Sequence, residues 1–131
     1  MSRTQKKILI VDDELHQIET VCRGLFLYGY ACRGVTSVDE ALSFLKAEPP
    51  VDLLITDLTM PEQSGMTLIN KAREQYPELP VLVITGLVAT EETEKVLALD
   101  IPMLQKPFDP QTLVDAIEAQ FDNNPHDNEP I

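Results

Sequence analysis

Five polar residues stand where short apolar runs end: Asp12 and Asp13 after "ILIV", Asp57 after "LLIT", Thr85 after "VLVI", and Lys106 after "MLQ". Desolvation and like-charge repulsion both oppose placing acids at the end of a buried strand, so a positive partner is expected there. A hard divalent cation takes oxygen ligands and relieves the repulsion, which points to Mg²⁺ (or Mn²⁺) near Asp12, Asp13 and Asp57. Held by so few protein oxygens, such an ion keeps positions for water and for phosphate oxygens. Phosphoryl chemistry follows. Asp57, in the middle of the set, can act as a nucleophile and carry a phosphoryl group as an acyl phosphate. The ammonium of Lys106 and the hydroxyl of Thr85 would neutralise and align the group in transfer, and Gly86 leaves room beside the acceptor.

Taken singly, each residue has an ordinary alternative. An acid pair after a strand is more often a solvated turn, Thr85 a strand-end hydroxyl and Lys106 a surface charge. The case rests on the set, delivered by four strands to one edge. His16 falls in the first turn of a helix and is expected at the surface, and Met60, Met66 and Met103 are expected to be packing residues.

The elements that must position these groups alternate along the chain. Apolar runs at Ile8 to Val11, Leu53 to Ile55 and Val81 to Ile84, with weaker ones at Tyr30 to Val35 and Met103 to Gln105, suit strands covered on both faces. Between them lie five helical patterns. The first carries Ile18, Val21, Cys22, Leu25 and Phe26 and stops at Gly29. A second has Ser37 as N-cap with Glu40 as its capping-box partner, a stripe of Val38, Ala41, Leu42 and Leu45, and Pro49 and Pro50 to end it. Leu68, Ile69, Ala72 and Tyr76 mark a third before Pro77, and Thr90 with following acids starts a fourth. Asp109 and Pro110 open the last, which carries Leu113, Val114, Ile117 and Phe121. Five strand–helix pairs predict an α/β fold with a parallel sheet and helices on both faces, because each parallel pair needs a crossover. The second run delivers no comparable polar group, which fits a strand on the outer edge beyond the first. In such sheets ligands sit beyond the carboxyl ends of the strands, where these residues fall.

With 131 residues, 44% hydrophobic, the chain has length for one core and too little for two ordinary domains. Residues 1–121 are expected as that domain and 122–131, "DNNPHDNEPI", as a flexible acidic tail. A formal charge of −12 repels phosphate backbones and anionic lipid, so neither nucleic acid nor membrane is an expected partner. Cys22 and Cys32 form no C-x-x-C pair and are expected as reduced structural thiols, which favours the cytoplasm. The first residues are too briefly apolar for a signal or spanning segment.

The stretches "ILIVDDE", "LLITDLTMPEQSG", "VLVITG" and "QKPF", in this order, resemble the receiver domains of two-component response regulators over roughly residues 6 to 121. The resemblance implies a flavodoxin-like, doubly wound sheet of order 2-1-3-4-5. It implies Asp57 as phosphoacceptor, Asp13 as a direct and Asp12 as a water-mediated metal ligand, and the Thr59 carbonyl as a further ligand. Thr85 is then the switch hydroxyl and Lys106 the phosphate-binding lysine, aimed by a cis bond to Pro107. The implied partners are a sensor histidine kinase or histidine phosphotransfer protein, and an effector or a phosphorylation-dependent homodimer on the face of helix four, strand five and helix five. Such a domain catalyses its own phosphorylation and dephosphorylation and is not otherwise an enzyme.

Three positions depart from the common pattern. Met103 stands where many receivers have the aromatic half of the switch. "LALDIPM" replaces a turn usually rich in Gly and Ala, with Pro102 expected to stiffen it. Thr59 and Leu87 occupy positions that tune attack by water on the phosphoryl group, and Leu87 offers no polar atom to orient that water, so a long-lived phosphorylated state is expected. Two alternatives remain beside this reading. One is a receiver-like interaction module that signals without phosphate, favoured by Met103. The other is an aspartyl-phosphate phosphatase, disfavoured because the second acid expected two residues after the nucleophile is Thr59.

Overall fold

The computed structural model describes residues 5–47, 50–60 and 63–122. Five strands, β1 (Lys7–Val11), β2 (Ala31–Val35), β3 (Leu53–Thr56), β4 (Val81–Thr85) and β5 (Met103–Gln105), alternate with five helices. The helices are α1 (Leu15–Leu27), α2 (Val38–Ala47), α3 (Gly65–Gln75), α4 (Glu91–Ala98) and α5 (Pro110–Asp122). The strands form one parallel sheet in the order β2-β1-β3-β4-β5, as expected.

Successive residues of a strand point to opposite faces, and the apolar runs therefore feed two cores. Leu9, Val11, Leu54, Val81 and Val83 pack with Val38, Ala41 and Leu45 of α2, Leu68, Ile69 and Ala72 of α3 and Val96 of α4. Ile8, Ile10, Leu53, Ile55, Leu82 and Ile84 pack on the other side with Ile18 and Leu25 of α1 and Leu113, Val114, Ile117 and Phe121 of α5. Phe26 departs from the expected stripe, being 67% exposed. Eight residues on from Ile18 it has rotated roughly 80° around the helix, off the buried face.

Local signals set the helix ends. Tyr28 caps α1 and Gly29 follows at φ +94°, a conformation that costs glycine little. Ser37 Oγ accepts the Glu40 N–H at 3.1 Å, while the Glu40 carboxylate takes the N–H and hydroxyl of Thr36, both at 2.9 Å. Thr90 and Thr93 cap α4 reciprocally. Asp109 accepts the Thr112 N–H at 2.8 Å at the start of α5. In the turn "LALDIPM", Asp100 takes φ +58°, a left-handed position that Asp tolerates better than most residues. Pro49, expected to end α2, lies outside the described residues, as does the expected tail apart from Asp122, the last residue of α5.

One expectation is overturned. Cys22 of α1 and Cys32 of β2 are joined as a disulfide, with their Cα atoms 5.2 Å apart, and are not two separate thiols. The cause is tertiary. A side chain at Gly34 would collide with Ile18, so the glycine lets α1 settle close against β2. Cys32 lies two residues before Gly34 on the same strand face, and Cys22 one helical turn after Ile18. Among the described residues no helix is long and apolar enough to cross a membrane.

Candidate functional site

β1 and β3 are neighbours in the sheet, so their carboxyl ends deliver Asp12, Asp13 and Asp57 side by side. The backbone continues the ladder into the site: Asp57 N–H donates to the Val11 carbonyl at 3.0 Å, and Asp12 N–H to the Val35 carbonyl at 3.2 Å. Asp12 and Asp57 are buried, while Asp13 turns outward. Ligating oxygens of the three carboxylates lie within 4.8 Å of one another.

Lys106 closes the group from β5. Its N–H donates to the Thr85 carbonyl at 2.8 Å, and its ammonium reaches Asp57 Oδ2 at 2.8 Å, Asp12 Oδ2 at 3.0 Å and Gln17 Oε1 at 3.2 Å. The Lys106–Pro107 peptide bond is cis, as the resemblance implied. Burial alone would lower the lysine pKa, but the hydrogen bonds and charges of Asp57 and Asp12 together outweigh it and hold the pKa above the ordinary value. The Asp13 carboxyl is raised, first by loss of solvation and then by its hydrogen bond with, and the negative charge of, Asp12. One ammonium therefore serves two carboxylates, and the third remains under repulsion.

The remaining oxygens are also engaged. Asp57 Oδ1 accepts the Thr59 N–H at 3.1 Å, and Asp12 Oδ1 accepts the Glu14 N–H at 3.0 Å. Thr85 is buried, and its Oγ accepts the Leu87 N–H at 3.0 Å, which leaves its hydroxyl proton available to a ligand. A Cβ at Gly86 would meet open space, in keeping with the room expected there. Leu87 is half-buried and Thr59 exposed; Thr59 is tied to Asp57 through its N–H, and Leu87 to Thr85 through its own. Met103 is half-buried and pairs in register with Val83, two residues before Thr85. With Thr85, Leu87, Thr93, Glu94 and Leu97 it lines a groove of about 430 Å³ between β5 and α4.

The acids, Thr85 and Lys106 thus gather at one sheet edge, with Met103 two residues back along β5 from the residue paired with Thr85. Two residues escaped the sequence reading. Gln17 lies in the first turn of α1, directly after the acidic loop, and that nearness in sequence was the available signal. Gly65 opens α3, where a Cβ would run into the backbone of Asp57 and Leu58. The close approach of α3 to the loop after Asp57 depends on it.

An all-oxygen set of three carboxylates suits a hard divalent cation better than a soft one. Comparison with known proteins identifies the family. The model of the response regulator receiver domain matches residues 8–118, and the chain belongs to that family of two-component signalling domains. It is 34% identical over 111 residues to the response regulator SaeR of Staphylococcus epidermidis, and 33% identical to SaeR of Staphylococcus aureus. Each match covers 82% of this chain and 46% of the relative, so the chain spans about half the length of these relatives. A CheY-like receiver domain protein from Methanospirillum hungatei superposes with a TM-score of 0.87 at 25% identity, covering 95% of this chain and 99% of that one. The chemotaxis response regulator CheY4 of Vibrio cholerae gives 0.80 at 28% identity, covering 88% and 98%.

Proposed function

We propose that the chain is a phosphorylation-controlled switch in which Asp57 accepts a phosphoryl group from a histidine of a sensor kinase or phosphotransfer protein. The observation that carries this is the Lys106 ammonium, set between Asp57 and Asp12 with Asp13 alongside. An Asp57 carboxylate oxygen bonds to phosphorus as the histidine N–P bond breaks, and the imidazole nitrogen keeps the electron pair and takes a proton from solvent. Lys106 neutralises a phosphoryl oxygen, and the Thr85 hydroxyl donates to another. A Mg²⁺ ion held by Asp12, Asp13, Asp57 and the Thr59 carbonyl would neutralise charge on the group in transfer.

Because Leu87 N–H is tied to Thr85 Oγ, a Thr85 drawn toward the phosphoryl group moves the loop that leads into α4. That changes the surface of α4, β5 and α5 offered to an effector or a second copy. The chain promotes its own phosphorylation and dephosphorylation rather than turning over a separate substrate, and it works in the cytoplasm, where histidine kinases present their phosphorylated domains.

Incubation with acetyl phosphate, with and without Mg²⁺, and intact mass measurement of the protein and Asp57→Ala test this. One phosphoryl addition that requires both Mg²⁺ and Asp57 is expected. No addition with the fold intact would favour a module that signals without phosphate, for which the groove beside Met103 is the supporting observation.

A further inference from the structure

We propose that Cys22 and Cys32 are a reversible thiol–disulfide site, oxidised by a small-molecule disulfide such as glutathione disulfide, which ties α1 to β2 when closed. Their Cα separation of 5.2 Å lies within the range a disulfide spans without backbone movement. The approach is fixed by packing and does not need the bond. Gly34 admits Ile18 against the strand, and Ile18 and Leu25, on either side of Cys22, are buried in the same core. The dithiol form of the folded chain therefore holds both sulfurs in reach of each other.

Both cysteines are half-buried, and β2 is an outer strand of the sheet, so a small disulfide can approach from the margin. One cysteine thiolate attacks a sulfur of the small disulfide and releases one small thiolate. The second cysteine thiolate then attacks the mixed disulfide and releases the other. The two protein thiols lose two electrons and two protons, and the small disulfide gains both as two thiols. The bond closes a loop over the end of α1 and the turn at Gly29. Opening it leaves α1 held on β2 by side-chain packing alone. Reducing compartments keep protein thiols open, and disulfides formed there are generally transient, so closure would report an oxidising change.

The test exposes the folded protein to glutathione at graded ratios of oxidised to reduced form, then blocks free thiols and measures intact mass, with peptide mapping. Two blockable thiols under reducing ratios and none under oxidising ratios, with a Cys22–Cys32 peptide within a monomer, is the expected result. Oxidation should raise the Tm by roughly 5 °C or more, and Cys22→Ser and Cys32→Ser should each abolish that rise. Any of three results overturns the proposal: thiols that stay free at every ratio, a bond that millimolar reduced glutathione does not open in the folded protein, or linkage between chains. A Tm unchanged between the two forms would refute the tie between α1 and β2.

Discussion

The Lys106 ammonium stands 2.8 Å from Asp57 Oδ2 and 3.0 Å from Asp12 Oδ2, so one cation from β5 bridges carboxylates from β3 and β1. The bridge holds the site together before any ligand arrives, and it supplies the positive charge that the acids at the end of β1 called for.

Lys106→Met should therefore have two effects. Metal-free stability should fall by roughly 1–3 kcal/mol, because two buried carboxylates lose their counter-charge; the lysine is 20% exposed, which keeps the loss below that of a fully buried pair. Urea unfolding with and without Mg²⁺ checks this, and Mg²⁺ should recover part of the loss. Phosphorylation by acetyl phosphate should slow at least tenfold, about 1.4 kcal/mol in the barrier.

Gly65→Ala should destabilise the protein by roughly 1–3 kcal/mol. The added methyl group meets backbone of Asp57 and Leu58, which cannot rotate aside as a flexible side chain would. Urea unfolding measures the loss, and slower phosphorylation would show that the Asp57 loop has shifted with α3.

Leu87→Glu should shorten the phosphorylated state about tenfold or more, because a carboxylate beside the Thr85 loop can orient water for attack on phosphorus. Decay of the phosphorylated mass after donor removal reads the lifetime. An unchanged rate would remove Leu87 from the residues that set it.

Asp109 gives a pH signature. Its pKa is lowered by the hydrogen bond from the Thr112 N–H, so the folded state favours the carboxylate. The resulting stability is fully present above the unfolded aspartate pKa, about 4, and is lost as pH falls through the lower folded value. Thermal melts of the protein and Asp109→Asn from pH 2 to 6 should differ by a constant amount at the upper end. The difference should shrink as the medium becomes acidic.

Much of this architecture is legible from local pattern. The apolar runs that became β1, β3 and β4, the stripe of α5, and the caps Ser37, Thr90 and Asp109 all depend on residues near in sequence. The polar groups at strand ends were legible for the same reason, since an acid after a buried run is conspicuous wherever the strand goes. Phe26 shows the limit: periodicity alone cannot say where the edge of a buried face falls.

What the amino-acid order determined by itself is the alternation of strands and helices and the types of group at each strand end, because propensity, capping and hydrophobic period act over a few residues. Only the tertiary structure decided that Lys106 bridges Asp57 and Asp12, that Gln17 joins them, that Gly65 must be bare, and that Cys22 meets Cys32. Each of those is a distance between elements, set by how closely side chains let helices and strands approach, and close packing is a property of the assembled cores rather than of any segment.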